Sequence, residues 1–259
     1  MSIFDDEPLD KVSKAVVEIY LKSNYRGRWF ISDAPAADGM HEVYAKGSIT
    51  VTNKSLKHLT GGLFRWTKVG ENFNCSMCTQ LESLSGCPVE VGDIFSCANC
   101  TSLTSLKGAP VVVGGTFNCA NCTSLTSLKN APAIIGGTFN CSNCTSLRSL
   151  KGVPALVKGD FICEGCSSLR NLKGGPLVVN GNYNCSFCSL IKSLEGGPQK
   201  VGISMDLSWC KRLTTLHGAP AELRKVLNCN HCTSLTSIEA VPLTYRGNVI
   251  TIHCTSLVA

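Results

Sequence analysis

The sequence predicts a mainly β fold: a solenoid with a parallel sheet of about nine to ten rungs and a small α+β cap at its N-terminal end. The segment Phe117-Asn-Cys-Ala-Asn-Cys-Thr-Ser-Leu-Thr-Ser-Leu recurs with variations every 22 residues, and a proline keeps this period through eight repeats. A fixed period of this length is the signature of stacked repeats. One unit cannot bury its own apolar face, whereas stacked copies form continuous apolar columns.

Each repeat is expected to contain two extended pieces joined by turns. Phe117 and Cys119 lie two residues apart, so their side chains share one face of a strand. The second cysteine and two leucines follow at every third position, which suits a tight, coiled return path. A Gly-x-Pro turn, such as the one that ends in Pro110, then bends the chain toward a second extended run.

The repeats divide the chain into three parts. Nine repeats of 22 residues span residues 73–259, and one imperfect repeat spans residues 49–72. Residues 1–48 lack the repeat. A solenoid must cover the apolar end of its first rung, so we expect this segment to be a cap. A separate functional head is the alternative.

Local signals in residues 1–48 predict one helix followed by strands. Asp6 as the N-cap and Pro8 near the first helical position open a helix of about residues 7–22. An apolar stripe at helical spacing supports it. Strands are expected at 28–32 and 42–45, on either side of a polar loop.

Composition excludes several classes of protein. The chain is 44% hydrophobic and 16% charged, whereas general disorder requires low hydrophobicity and high charge. No apolar run reaches the roughly 18 residues of a membrane helix, and the acidic start Met1–Glu7 is unlike a secretory signal. We therefore expect a soluble, cytoplasmic protein without a membrane partner. A net charge of +6 is mild and permits an anionic partner without requiring one.

The repeat resembles a leucine-rich repeat, whose consensus L-x-x-L-x-L-x-x-N/C-x-L allows cysteine in one column. The match is Phe117-x-Cys119-x-x-Cys122-x-x-Leu125, which is most similar to cysteine-containing variants. The run from Cys122 to Leu128 is similar to the repeats of bacterial surface antigens. Segments such as Gly-Ala-Pro-x-x-Val-Gly-Gly resemble compact repeats of bacteriophage and giant-virus genomes. Cysteine also occupies the strand column in which leucine is usual, which is a departure from the family.

This resemblance covers about three quarters of the chain. It implies a leucine-rich-repeat-like solenoid that binds another macromolecule, without saying which one. The phage-like repeats further suggest a protein that binds or inhibits a bacterial host protein, in the cytoplasm of the host cell.

The 17 cysteines raise the question of a metal. The spacing Cys75-x2-Cys78-x18-Cys97-x2-Cys100 fits a zinc ribbon. We expect packing instead, because the spacing is a by-product of the repeat and because Leu207 and Thr251 stand in the first cysteine column. Buried cysteine behaves as a small hydrophobic residue. Reduced thiols, no metal and no cofactor are the prediction, with a thiol-rich metal protein as the alternative.

The predicted binding surface is a column of four rings at the same position of successive repeats. Its members are Phe187, Trp209, His231 and His253. At about 4.8 Å per rung this column is about 15 Å long, and exposed aromatic clusters are typical of binding hot spots. Asp206 and Glu164, beside the column, could supply polar specificity. In the alternative interpretation, the rings stack only to cover the sheet.

A basic flank is the competing surface. Between residues 148 and 225 there are 11 Lys or Arg and 5 Asp or Glu. Its candidate anion-binding residues fall into two columns and comprise Arg148, Arg170 and Lys192 in one and Lys151 and Lys173 in the other. A solvated flank is the simpler interpretation, and attachment to nucleic-acid phosphates is the alternative.

We expect no enzyme, because the chain has no phosphate-cradling loop, no paired carboxylates at a useful spacing and no credible nucleophile. The predicted function is binding of another protein, whose identity the sequence does not specify. The final repeat, around His253, has no polar segment after it. We therefore also predict a two-fold homodimer through this uncapped rung, with fraying of the last rung as the alternative.

Overall fold

The computed structural model describes residues 12–242 and 247–257 and confirms a mainly β parallel solenoid with one short N-terminal helix. The largest sheet contains eleven strands, which we number along the chain. They are β1 (Tyr25–Arg26), β4 (Ile49–Val51), β6 (Phe73–Asn74), β8 (Phe95–Ser96), β10 (Phe117–Asn118), β12 (Phe139–Asn140), β14 (Phe161–Ile162), β16 (Tyr183–Asn184), β18 (Met205–Asp206), β20 (Val226–Asn228) and β21 (Asn248–Ile250).

The second extended run of each rung forms the opposite side of the solenoid. It is divided into a six-stranded and a four-stranded sheet. The six-stranded sheet contains β2 (Phe30–Ile31), β3 (His41–Ala45), β5 (Phe64–Val69), β7 (Glu90–Val91), β9 (Val112–Val113) and β11 (Ile134–Ile135). The four-stranded sheet contains β13 (Leu156–Val157), β15 (Val178–Val179), β17 (Lys200–Val201) and β19 (Glu222–Leu223).

Neighbouring rungs pair in parallel and in register. In the large sheet Phe117 lies opposite Phe95 on one side and Phe139 on the other, which is the predicted period. The imperfect repeat is longer, because Ile49 lies opposite Phe73. The sheet order ends at β21. Pairing of two chains there stays a prediction.

The core consists of columns of like residues. The rings from Phe73 to Tyr183 stack along the axis with centroids 5.0 to 5.8 Å apart, and Met205 and Leu227 continue this column. The three-residue spacing of the second cysteine and the leucines produces the coiled return path that the sequence predicts. Leu125 donates its backbone N–H to the carbonyl of Cys122 at 2.9 Å, which closes a tight turn of the coiled return path.

The N-terminal segment covers the first rung. Helix α1 spans Lys14–Asn24, and the Ser13 hydroxyl accepts a bond from the backbone N–H of Val16 at 3.5 Å. The predicted helix start at Asp6 and Pro8 lies outside the described residues. Strand β1 pairs antiparallel with β4, and β2 pairs antiparallel with β3, so antiparallel strands terminate both parallel sheets at this end. No helix in the described part of the chain is long and apolar enough to cross a membrane.

All 17 cysteines are free thiols and all are buried, as the packing interpretation requires. The structure adds a role that the sequence did not predict. The second cysteine of a repeat donates its S–H to the carbonyl of the first-column residue one rung earlier, at 3.0 to 3.3 Å. We call this set the thiol ladder; its donors are Cys100, Cys122, Cys144, Cys166, Cys188, Cys210, Cys232 and Cys254.

The thiol ladder explains why the two cysteine columns tolerate substitution differently. The acceptor is a backbone carbonyl, so the first column needs no particular side chain, and Leu207 accepts from Cys232 at 3.2 Å as its cysteine counterparts do. The donor must be a side chain with a polar hydrogen, and every repeat has cysteine there. Apart from the thiol, the donor to this carbonyl is a backbone N–H at a long distance. The Cys97 carbonyl, for example, accepts from the backbone N–H of Cys100 at 3.3 Å.

We expect Cys144→Ala to destabilise the protein more than Cys141→Ala. Both changes remove a buried sulfur, but only the first removes the donor to the Cys119 carbonyl. An unsatisfied buried carbonyl costs about 1–3 kcal/mol. Denaturant unfolding of the two variants measures this difference in the free energy of unfolding. Equal losses would show that the thiols act by volume alone.

Candidate functional site

The aromatic column consists of Phe187, Trp209, His231 and His253. Each of these residues lies in the turn that follows its own strand of the large sheet. The sequence predicts these residues at the same position of successive repeats. In the structure their backbone is left-handed, with φ between 58° and 63°. The turn is held by the rung that follows, since the N–H of Trp209 donates to the carbonyl of Asn230 at 2.9 Å.

A left-handed backbone costs most residues other than Gly roughly 1–2 kcal/mol, and among the others Asn, Asp and His adopt it more readily than Phe or Trp. Earlier rungs follow this rule, with Asn99, Asn121, Asn143 and Gly165 at the same position. Met77, in the first of the nine repeats, is an exception. The turns before seven of the eight repeat prolines provide an internal comparison: their left-handed residues are Gly86, Gly108, Asn130, Gly152, Gly174, Gly196 and Gly218. The aromatic column therefore places large rings where the backbone favours small residues.

The four rings form a continuous stack. Centroids lie 5.8 Å apart for Phe187 and Trp209, 4.1 Å for Trp209 and His231, and 4.7 Å for His231 and His253, with interplanar angles of at most 21°. Phe187 is 48% exposed and Trp209 is 37% exposed. The Lys211 ammonium lies 5.6 Å from the centroid of the Trp209 ring. The four rings therefore lie side by side, as the sequence predicts, and the stack remains open to solvent.

The two carboxylates predicted beside the column lie on the same face and already have partners within the chain. Asp206 accepts from the backbone N–H of Ser208 at 2.8 Å and from the Asn228 amide at 3.2 Å. Glu164 accepts one bond, from the Asn184 amide at 3.3 Å. Asp206 thus helps to shape its own turn, whereas Glu164 retains acceptor capacity.

The face of the solenoid that bears the aromatic column differs in charge from the rest of the chain. Four columns of side chains border the strands of the large sheet in the nine repeats: the residue before the strand aromatic, the two residues on either side of the first cysteine, and the left-handed residue. They include Asp160, Glu164 and Asp206 but no lysine or arginine. The chain as a whole has a charge of +6, so most of its cations lie elsewhere, although the Lys211 ammonium reaches the Trp209 ring and the Lys54 ammonium reaches the Ser76 carbonyl.

The predicted anion-binding residues do not join the aromatic column. Arg148, Arg170 and Lys192 are exposed on the coiled return path, and Lys151 and Lys173 are exposed at its end. Lys173 pairs with Glu195 at 2.9 Å and lowers the pKa of that carboxyl. Part of the basic flank is therefore neutralised by the chain itself.

In the last two rungs the neighbouring histidine and cysteine side chains lie in different surroundings. Cys232 and Cys254 are buried in the core and donate to backbone carbonyls, whereas His231 and His253 lie in the exposed stack. Within the described residues, no group of three or more His, Cys, Asp or Glu side chains is arranged to hold a metal ion.

A second exposed ring pair occurs on the cap. Phe30 and Tyr44 stack with centroids 4.9 Å apart, and the Lys46 ammonium lies 5.9 Å from the Phe30 centroid. The pair joins β2, the last strand of its sheet, to β3. Because neither ring has a left-handed backbone, protection of a sheet edge accounts for it.

Comparisons with protein-family models, with curated proteins and with solved structures find no match to this chain. The candidate site therefore depends on its own geometry.

We expect the thiols of the native protein to react very slowly. Burial raises the pKa of Cys78 to about 11 and the pKa values of Cys185 and Cys232 to about 12, and the reactive form is the thiolate. With an aromatic disulfide reagent at about pH 8, Cys254, which is 9% exposed, should react first. All 17 thiols should react after unfolding.

The control for this labelling is Cys254→Ser, which keeps a hydrogen-bond donor and should remove the fastest phase. Rapid labelling of most thiols in the folded protein would contradict the expected protection.

Proposed function

We propose that this chain is a non-enzymatic solenoid of the leucine-rich-repeat type that binds another protein through the aromatic column. The observation that carries the proposal is the conflict between backbone and side chain at Phe187 and Trp209, whose stack His231 and His253 extend. Strained residues persist where function requires them. Since the same turn is made by Asn or Gly in the preceding four rungs, the fold does not require rings there.

Exposure and composition support the same proposal. Trp and Phe in an exposed cluster are typical of the residues that contribute most to protein interfaces. The stack also holds the rings in one conformation, so binding requires little further ordering of side chains. The resemblance to phage and giant-virus repeats makes a bacterial host protein the first class of partner to test.

The alternative is that the rings only cover the sheet. Stacked aromatic pairs stabilise proteins by about 0.5–1.5 kcal/mol each, which roughly offsets the strain of a left-handed ring residue. The stack therefore gives little net stability, and stability alone does not account for it.

Binding of nucleic acid is the less supported function. The face that bears the rings includes three carboxylates, Asp160, Glu164 and Asp206, and would repel phosphates. The basic flank is separate from the rings and is partly paired, as at Lys173 and Lys200. A thiol-rich metal protein is also less supported, because the thiols donate to carbonyls.

The test uses Phe187→Asn and Trp209→Asn, which place in the turn the residue found at Asn121 and Asn143. We expect the free energy of unfolding to change by less than about 1 kcal/mol, because lost stacking and relieved strain offset each other. Capture of the partner from the native cellular context, measured by affinity pulldown and mass spectrometry with nuclease present, should be lost.

The matched control is Met77→Asn, which makes the same kind of change in the same turn, five rungs from Phe187 and six rungs from Trp209. It should leave capture intact. Capture that survives both ring substitutions, or that disappears with nuclease alone, would overturn the proposal. A loss of stability above about 2 kcal/mol for each ring variant would instead favour a structural stack. Metal analysis of the purified protein tests the metal alternative.

A further inference from the structure

The aromatic column ends at a gap. The rung before Phe187 has Gly165 at the equivalent position, so no side chain continues the stack there. Trp209 has neighbours on both faces, namely Phe187 and His231. Within residues 12–242 and 247–257, the one ring that stacks on Phe187 is Trp209. The face of Phe187 toward Gly165 is therefore the end of the stack, and Phe187 is 48% exposed.

The groups beside the gap are hydrogen-bond acceptors. Glu164, the residue before Gly165, receives one bond from Asn184 and has no ion-pair partner in the described chain. On the other side, Asn143 turns its Oδ1 atom toward Gly165, close enough that a Cβ on the glycine would overlap it. A ligand in the gap would thus meet the Phe187 ring and the Asn143 amide oxygen, with the carboxylate of the preceding residue, Glu164, as the nearest acidic group along the chain.

We propose, resting on the protein-binding function above, that the gap at Gly165 is a slot for an arginine side chain of the partner. A guanidinium is planar, stacks on aromatic faces and donates several N–H bonds in its plane. It can lie on Phe187 as the next layer of the stack and donate to Glu164 and Asn143.

Other groups suit the slot less well. A neutral aromatic ring could stack on Phe187 but would leave the Glu164 carboxylate without a donor. A lysine ammonium is compact and strongly hydrated and forms no planar layer. A phosphate would meet carboxylates at Asp160, Glu164 and Asp206, with no cation in the four columns of this face. Lys211 lies over Trp209, on the side of Phe187 away from the gap. The carboxylates of the four columns thus favour a cation in the gap, and the flat Phe187 ring favours a planar cation.

The experiment titrates the full chain with three capped pentapeptides of sequence Gly-Ser-X-Ser-Gly, in which X is arginine, lysine or citrulline. Citrulline keeps the shape of arginine without its charge. Binding is followed by NMR shifts of the Gly165 amide and the Phe187 ring. We expect the arginine peptide to bind about threefold to fivefold or more tightly than the citrulline peptide, because a cation on an exposed ring and a surface ion pair each contribute modestly.

Two substitutions probe the slot itself. Gly165→Asn should block it: the turn accepts asparagine in the three preceding rungs, and the new Cβ displaces only the end of the Asn143 side chain. Glu164→Gln should weaken the arginine peptide about threefold and leave the citrulline peptide unchanged. The matched control is Asn121→Gly, which opens a gap with neither a ring nor a carboxylate beside it, and it should create no new site. If Gly165→Asn fails to fold by circular dichroism, Glu164→Gln and Phe187→Asn still decide the question.

Equal affinities for the arginine and citrulline peptides would overturn the slot, as would shifts confined to other residues or unchanged binding by Gly165→Asn. These failures differ from failure of the proposed function. If Trp209→Asn still loses capture of the protein partner, the column binds protein without an arginine in the gap. If capture survives Trp209→Asn, the proposed function itself fails.

Discussion

Register between rungs is the constraint on which the rest of this structure depends. From β6 to β20, each strand of the large sheet pairs with its counterpart 22 residues later, so a conformation adopted by one rung is passed to the next. The Phe and Leu columns, the turn glycines and the left-handed turn after the strand all follow from this. A residue that suits the turn poorly is held in place by hydrogen bonds from its neighbours, as at Trp209.

The cysteines show how one residue type can have two roles in such a stack. In the first column the side chain fills volume, and Leu207 replaces it without loss of the backbone acceptor. In the second column the thiol is a donor that satisfies a buried carbonyl, and packing alone would not select it. Sulfur suits both roles, because it is small enough for the narrow interior and can still donate a weak hydrogen bond. Burial also raises the pKa of thiols such as Cys185, which keeps them chemically inert.

Because register between rungs fixes the core and the turns, functional differences can arise only at the positions whose residue type varies from rung to rung. The cations lie mostly on the coiled return path and at the corners, whereas the charged residues in the four columns of the ring-bearing face are acidic, such as Glu164 and Asp206. The Lys211 ammonium reaches this face at Trp209. On that face the amide-rich first half follows the conformational preference of the turn, and the second half departs from it at Phe187. The change occurs at Gly165, where the ring stack begins and an open aromatic face meets acceptor groups.

The sequence by itself determined the period, the buried columns, the coiled return path and the alignment of Phe187 with Trp209, because these depend on spacing that every rung repeats. The run of Asn99, Asn121, Asn143 and Gly165 was also a visible signal of a left-handed turn. Only the tertiary structure decided that this turn continues through the rings, that thiols bond to carbonyls and that Asn143 turns toward Gly165. Those features depend on backbone angles and on contacts with residues one rung away, which spacing along the chain does not specify.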